Sequence, residues 1–412
     1  MTRAKAVCAV AVLALLLGGS AVLRDSRAAP STSPATTQIG ALLDLKSGWT
    51  SLGRASRATL QLAAADTGAR LRIVDVQGKP ELAVRGLRRL AAGGVHAVIG
   101  PESSAEVRAV RAAARSLGVV VISQGSTAHS LAIGGDNVFR LVPDDRREGE
   151  AMVALLTHDG VKTVVPAWRN DPGNAGLVTS LRARFRARGI VTAGVRYATT
   201  EKAFTGPVAR LREQVSTARA SGRSTAVYLA AFDEVVDLFH QAAKDPVLSS
   251  IRWYGSDGVA LSRRLVTDRS AASFASRRGY PNPTLGLDAA ATRRSAALRR
   301  RVGTRLGSEP DALALAAYDA FRISVRAAAR AGGTGNLARF KRAFVQAADG
   351  YRGVSGTVLL NAAGDRAYGS YDFWSVCAGG RQKAFAWKRT FSYLSSGVGS
   401  GRIVTRARCP SD

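Results

Sequence analysis

The sequence predicts an α/β protein built on parallel sheets. Two observations predict it. Short apolar segments with strand character alternate with amphipathic helical segments along most of the chain. The alternation also runs twice, in two stretches of roughly 110 residues each, the rhythm of β-α-β units.

The first stretch opens with Gln38–Leu43, an apolar strand, and Leu52–Ala65, helical by the periodicity of Leu60, Leu62 and the alanines around them. Leu71–Val76 reads as a strand and Pro80–Ala92 as a helix. His96–Ile99 is a short apolar strand ending at Gly100-Pro101, Ser103–Leu117 a helix, and Val119–Ile122 and Asn137–Leu141 two more strands. The second stretch repeats the pattern. Its helices are Glu148–His158, Gly176–Arg188, Pro207–Ala220 and Glu234–Ala243, and its strands Lys162–Ala167, Ile190–Tyr197, Thr225–Ala230 and Ile251–Tyr254. The remainder differs. Ala289–Leu306, Asp311–Ala331 and Leu337–Ala348 are helical. Thr357–Leu360, Tyr371–Cys377 and Lys383–Trp387 are short strands between glycine-rich turns.

Composition excludes several classes. The chain has 412 residues, 46% hydrophobic and 22% charged, so it can bury a large core and is not a disordered polymer. After the first 23 residues no uncharged apolar run approaches the roughly 18–20 residues of a membrane span, which excludes a polytopic membrane protein. The net charge of +29 rests on arginines scattered through the whole chain beside only nine lysines. That reads as coding bias rather than a basic stripe, so nucleic acid is not an expected partner. The four histidines, His96, His129, His158 and His240, form no metal-ligand pair. No G-x-S-x-G elbow, P-loop or dinucleotide fingerprint is present, so neither an enzyme nor a cofactor is expected. Asp144-Asp145 follows an apolar strand and reads as a helix cap.

Met1–Lys5 is a short basic segment, Ala6–Leu17 an apolar one, and Gly18–Ala21 are small residues. Residues 1–28 therefore read as a secretory signal, or as an uncleaved N-terminal anchor, followed by a polar linker at 29–36. No lipid-accepting cysteine follows the apolar run. Cys8 lies in the leader. Cys377 and Cys409 are left as an even pair, either a disulfide or two thiols.

In open parallel sheets ligands bind beyond the carboxyl ends of the strands. Those ends are where this sequence turns polar: Gly-Pro-Glu-Ser-Ser after Ile99, Ser-Gln-Gly-Ser-Thr after Ile122, Phe232-Asp233 after Ala231, and Gly-Ser-Asp-Gly after Tyr254. Hydroxyls, glycines and a few acids suit a small polar solute.

These tips carry a resemblance. Ile39-Gly-Ala-Leu-Leu, Gly48-Trp-Thr-Ser-Leu-Gly53, Val98-Ile-Gly-Pro-Glu-Ser-Ser104, Val120-Val-Ile-Ser-Gln-Gly-Ser-Thr127, Asn137-Val-Phe-Arg140, Trp253-Tyr-Gly-Ser-Asp-Gly258, Ala317-Tyr-Asp-Ala320 and Gly353-Val-Ser-Gly356 stand in the order and spacing of one family. The chain resembles the type I periplasmic binding proteins, specifically the branched-chain amino-acid (leucine/isoleucine/valine) substrate-binding proteins of ABC transporters. The resemblance implies two doubly wound parallel-sheet lobes joined by a three-crossover hinge. It assigns residues 37–143 and 258–350 to the first lobe, 144–257 and 351–395 to the second, and 396–412 to a C-terminal tail. It implies a monomeric extracytoplasmic protein that delivers an amino acid or similar solute to a membrane permease. The alternative is a membrane-anchored sensor with the same bilobed domain.

Residue by residue, the resemblance places Ser104 on the ligand carboxylate and gives the Gly125 backbone carbonyl and Thr127 as further ligand contacts, with Ser126 between those two. It places Trp49 and Phe232 as apolar walls and Asp257 on the ligand ammonium. Trp49 and Phe232 equally suit core packing, Ser104 a helix cap, and Asp257 a turn. Three departures stand out: Gln124 replaces a proline, Asp44-Leu-Lys46 an apolar-Thr-Gly run, and Pro172 an aromatic.

Overall fold

The computed structural model describes residues 37–46, 48–379, 384–397 and 400–409. The leader and linker expected over 1–36, with Cys8, lie outside the described residues.

The first sheet is formed by β1 (Gln38–Leu43), β2 (Arg70–Asp75), β3 (Ala97–Ile99), β4 (Val120–Ser123) and β5 (Val138–Arg140), with α1 (Thr50–Thr67), α2 (Pro80–Ala92) and α3 (Ser104–Ser116) between strands. The strand order is β2-β1-β3-β4-β5, all parallel. Period-two alternation divides its side chains between the two faces. Ile39, Ala41, Leu43, Ile99 and Ile122 enter one core, against α1, whereas Leu42, Val98 and Val121 enter another, against α2 and α3. Both faces are covered, which is why these strands read as continuous apolar runs.

The second lobe holds α4 (Asp145–His158), β6 (Thr163–Arg169), α5 (Pro172–Phe185), β7 (Ile190–Val191), β8 (Val195–Tyr197), α6 (Thr205–Ala220), β9 (Thr225–Ala230), α7 (Val235–Ala242) and β10 (Arg252–Tyr254). Its order is β10-β9-β6, with β7 and β8 both on the far side of β6, again parallel. The single strand expected over Ile190–Tyr197 is broken in two. Gly194 takes φ +72°, and a side chain there would meet the Pro166 carbonyl.

Beyond β10 come α8 (Arg263–Thr267), α9 (Arg269–Arg278), β11 (Asn282–Leu285), α10 (Ala289–Leu306), α11 (Ala312–Ala331), α12 (Leu337–Ala348), the hairpin β12 (Tyr351–Gly353) and β13 (Gly356–Val358), then β14 (Tyr371–Ala378), β15 (Phe385–Gly397) and β16 (Ser400–Thr405). β11, β14, β15 and β16 form an antiparallel sheet in that order. Of these elements, α8, α9, β11, β12 and β16 were not expected from the sequence.

Core membership moves two expected boundaries. Val259, Leu265, Phe274 and Tyr280 share a core with Val227 and Leu229 of β9, so residues 258–285 pack with the second lobe, not the first. Val358 lies in the first lobe's core with Tyr351, Val354 and Leu360 packed against it, so the β12–β13 hairpin belongs there rather than to the second lobe. The chain thus passes between lobes after Leu141, after Leu285 and after Leu360. The first and third passages are tied together. Arg140 donates from Nε and Nη2 to the Asp365 carboxylate at 2.6 and 2.5 Å, and from Nη1 to the Ala128 carbonyl at 2.7 Å. Cys377 and Cys409 form a disulfide with Cα atoms 5.2 Å apart, which links β14 to the segment after β16.

Candidate functional site

The first-lobe half of the site is built at two strand tips. Beyond β3, Ser103 caps α3: its Oγ accepts the Glu106 N–H at 3.3 Å while Glu106 Oε2 accepts the Ser103 N–H at 3.1 Å. The cap is Ser103, so Ser104 is not needed for it. Ser104 Oγ instead lies 3.0 Å from Ser126 Oγ and accepts the Ala128 N–H at 3.1 Å. Beyond β4, Ser123 Oγ donates to the Pro101 carbonyl at 2.7 Å and accepts the Ser126 N–H at 3.0 Å, which fixes the Gly125–Thr127 turn. Gly125 has no side chain for a reason of space, since a Cβ would sit 2.9 Å from the Glu102 carbonyl and 3.2 Å from the Trp49 ring. Trp49 itself precedes α1, its N–H held by Asp44 Oδ2 at 2.5 Å.

The second-lobe half comes from three tips. Phe232 follows β9 and stacks on Trp49, with ring centroids 4.8 Å apart. Next to it, Asp233 accepts hydrogen bonds from Ser51 Oγ at 2.9 Å and Ser262 Oγ at 2.6 Å, so Ser51–Asp233 is a direct bond between lobes. After β6, Asp171 caps α5, accepting the Gly173 and Asn174 N–H groups at 3.0 and 3.1 Å. Pro172 is the first helical residue there, where its fixed φ and missing N–H are harmless. After β10, Asp257 lies in a turn, its carbonyl accepting the Ala260 N–H at 3.2 Å, and its side chain is buried.

Six of the seven expected contact residues line one cavity: Trp49, Ser104, Gly125, Thr127, Phe232 and Asp257. Ser126 stands directly behind, on Ser104. Ser103, Gly173, Asn174 and Leu177 complete the lining, and none of these four was expected. The cavity measures ≈ 10 Å³, enough for about one water, so the two halves are closed upon each other. A larger cavity of ≈ 480 Å³ is lined by Ser51, Asp233, Arg54 and Arg264 and by none of the expected residues. His129 faces solvent, Nδ1 3.0 Å from Asp144.

The cavity is bordered by groups of both electrostatic kinds. The N-termini of α3 and α5 and the hydroxyls of Ser104 and Thr127 favour an anionic group. Asp257 lines the same cavity. Burial, and then the charges of Asp311 and Asp171, push its carboxyl up to about 7. Behind it, in the first turn of α4, are Asp145 and Glu148, both buried. Glu148 Oε1 accepts the Asp257 N–H at 3.2 Å. Burial, and after it the neighbouring carboxylates, hold both acids well above the usual carboxylate range. Asp144, the other member of the expected capping pair, does cap α4, accepting the Arg146 N–H at 3.1 Å. Among the described residues no group of three or more His, Cys, Asp or Glu is arranged to hold a metal ion, and no helix is long and apolar enough to cross a membrane.

The architecture is shared with known proteins. A family model described as receptor family ligand binding region matches residues 65–377. The uncharacterised protein MJ1266 of Methanocaldococcus jannaschii is 23% identical over 382 residues, 86% of this chain and 90% of that protein. Among solved structures, the leucine binding protein LivK of Thermotoga maritima superposes with a TM-score of 0.71 at 20% identity, over 86% of this chain and 98% of that one. The branched-chain amino acid transporter substrate binding protein LivJ of Streptococcus pneumoniae, in complex with isoleucine, gives 0.69 at 19% identity, over 90% and 100%. A solute binding protein of an ABC transporter from R. palustris, in complex with benzoate, gives 0.70 at 17% identity, over 91% and 99%.

Proposed function

Since the chain belongs to the receptor family ligand binding region and has the fold of the type I periplasmic binding proteins, we propose that it is the extracytoplasmic solute-binding component of an ABC importer. Its solute is an amino acid of the branched-chain type or a similar small polar molecule. One observation carries the reading: residues that follow strands of both lobes converge on one interlobe cavity lined by hydroxyls, two helix N-termini and a buried acid. That is the complement of a zwitterion.

In this reading the open protein receives the solute carboxylate on Ser104, Thr127 and the Gly125–Ser126 backbone. The ammonium meets Asp257 as the second lobe swings in, and Trp49 and Phe232 enclose the apolar part. Closure desolvates both charges, and charge-assisted hydrogen bonds then hold them. A membrane permease reads the closed form. The Cys377–Cys409 disulfide supports a compartment outside the reducing cytosol.

Thermal denaturation of the purified chain against a panel of amino acids, amides, short-chain acids and sugars tests this. A solute that binds only the folded form stabilises it by RT ln(1 + [L]/Kd). A rise in melting temperature with amino acids is expected. A rise only with sugars, or none across the panel, would overturn the reading.

A further inference from the structure

Behind Asp257 the cleft holds more carboxyl groups than a single ammonium needs. Asp145 and Glu148 sit side by side on the first turn of α4, and both are fully enclosed by protein. Glu148 Oε2 has no hydrogen-bond partner, and the Asp145 carboxyl has none beyond the neighbouring Thr127 hydroxyl. Both residues stand directly behind the cavity's wall. The Asp145 N–H donates to the Thr127 carbonyl at 2.8 Å, and Glu148 Oε1 accepts the Asp257 N–H at 3.2 Å. Room for the Asp145 carboxyl is made by Gly176 of α5, where a Cβ would lie 2.0 Å from Oδ2.

Among the described residues no cation is hydrogen-bonded to this trio. Arg140, the nearest, spends Nε, Nη1 and Nη2 on Asp365, Ser126 and Ala128. Arg146 and His129 are engaged by Asp144, and Arg169 by Asp171 and Glu234. An unpaired buried carboxylate is costly, so it takes up a proton unless a positive charge stands beside it. The trio is not arranged for a metal ion, which leaves an organic cation.

We propose that Asp145 and Glu148 form a second cation subsite beside Asp257, so that the cleft takes a solute with two positively charged groups, a basic amino acid of the ornithine or arginine class. This rests on the reading of the cleft as an amino-acid site and names its substrate class. One cationic group is held by Asp257 and the other by Asp145 and Glu148, while the carboxylate keeps its place at Ser104 and Thr127.

The test is titration calorimetry of the full chain at pH 7.5 with L-ornithine, L-norvaline (the same carbon chain without the second amine) and 1,4-diaminobutane, repeated on Glu148→Gln. L-Ornithine is expected to bind at least 30-fold more tightly than L-norvaline. Glu148→Gln is expected to weaken ornithine at least tenfold and to leave norvaline within threefold. The enthalpy of ornithine binding should also vary with the buffer, because the trio releases protons to the incoming cation. Equal affinity for ornithine and norvaline, or equal loss of both in Glu148→Gln, would overturn the subsite while leaving the amino-acid site intact. Binding of the diamine without ornithine would support the subsite and overturn the carboxylate end of the proposed function. No binding of any of the three, by a chain that melts cooperatively, would overturn both readings.

Discussion

Trp49 and Phe232 stack across the cleft with their planes 24° from parallel, one ring from each lobe. The Arg169 guanidinium lies 5.5 Å from the centre of the Phe232 ring. The two aromatics therefore hold each other in the place the proposed mechanism gives to the solute's apolar part, and binding has to part them. Phe232→Ala is expected to weaken solute binding about tenfold or more, because both a wall and a stacking partner are lost. In the wild type, solute should change the tryptophan fluorescence, and that change should shrink in the variant. Fluorescence titration checks both. An unchanged signal and affinity would show the stack to be core packing only.

Asp257→Asn removes the charge but keeps the shape of the turn. Affinity for amino acids should fall by about 100-fold, consistent with truncating one partner of a buried charge pair. The melting temperature without solute should hold or rise, since burial already disfavours the ionised form. Calorimetry and thermal denaturation of the same sample separate the two effects.

Ser104→Ala deletes a buried hydroxyl from the same cavity. A hydrogen bond to a charged group contributes about 1.5 kcal/mol or more, so carboxylate-bearing solutes should bind roughly tenfold more weakly. Amines without a carboxylate should be little affected. Loss of both classes together would instead point to collapse of the Ser123–Ala128 turn, whose Ala128 N–H this hydroxyl accepts.

The acid trio gives the protein a pH dependence with a definite sign. Folding raises the carboxyls of Asp257 and Glu148 above their ordinary range, through burial first, and after it through the charges of Asp311 and Asp171 on Asp257 and of Asp257 and Asp145 on Glu148. Their contribution to stability is therefore fully present below the range of an unfolded carboxyl, near pH 4, and is lost as pH rises through about 7 for Asp257. Glu148→Gln removes one such group. Wild type and variant should melt together at pH 4, and the variant should become progressively the more stable towards pH 8. Parallel melting profiles would contradict this.

The Arg140–Asp365 pair ties the first interlobe passage to the third, and both side chains are buried. Breaking a buried pair by removing one partner costs about 3–5 kcal/mol, whereas replacing both with apolar residues often costs little. Asp365→Leu should therefore destabilise more than the double change Arg140→Met with Asp365→Leu. Denaturant unfolding of the two variants decides it.

Much of the fold was legible because burial leaves a plain pattern. Gln38–Leu43, Pro80–Ala92, Ala289–Leu306 and Leu337–Ala348 have the bounds that apolar periodicity assigned them. The antiparallel strands were harder to see, since the serine, glycine and arginine content of Ser400–Thr405 shows little alternation. The lobe boundaries were misplaced for a different reason. Whether Phe274 or Val358 joins one core or the other is settled by contacts with residues far away in sequence.

The strand tips were found through resemblance, and they do converge. The N-terminus of α5 was missed although its signals were present: Asp171 is a capping residue and Pro172 suits the first turn. Asp145 was missed for a subtler cause. Neighbouring residues on a helix point about 100° apart, so in an Asp-Asp pair one side chain caps the helix while the next turns inward. Composition cannot tell them apart.

The interleaved path of the chain also bears on how the protein is made. The first lobe's core joins Ile39 to Val358, and the antiparallel sheet that packs on the second lobe ends with β16 and the bond to Cys409. Neither lobe can finish folding while the polypeptide is still being synthesised, for at roughly 5–20 residues per second the two ends of the first core emerge on the order of tens of seconds apart. The first core therefore stays incomplete until Val358 has been made, and the nascent chain stays open to chaperones through most of that time.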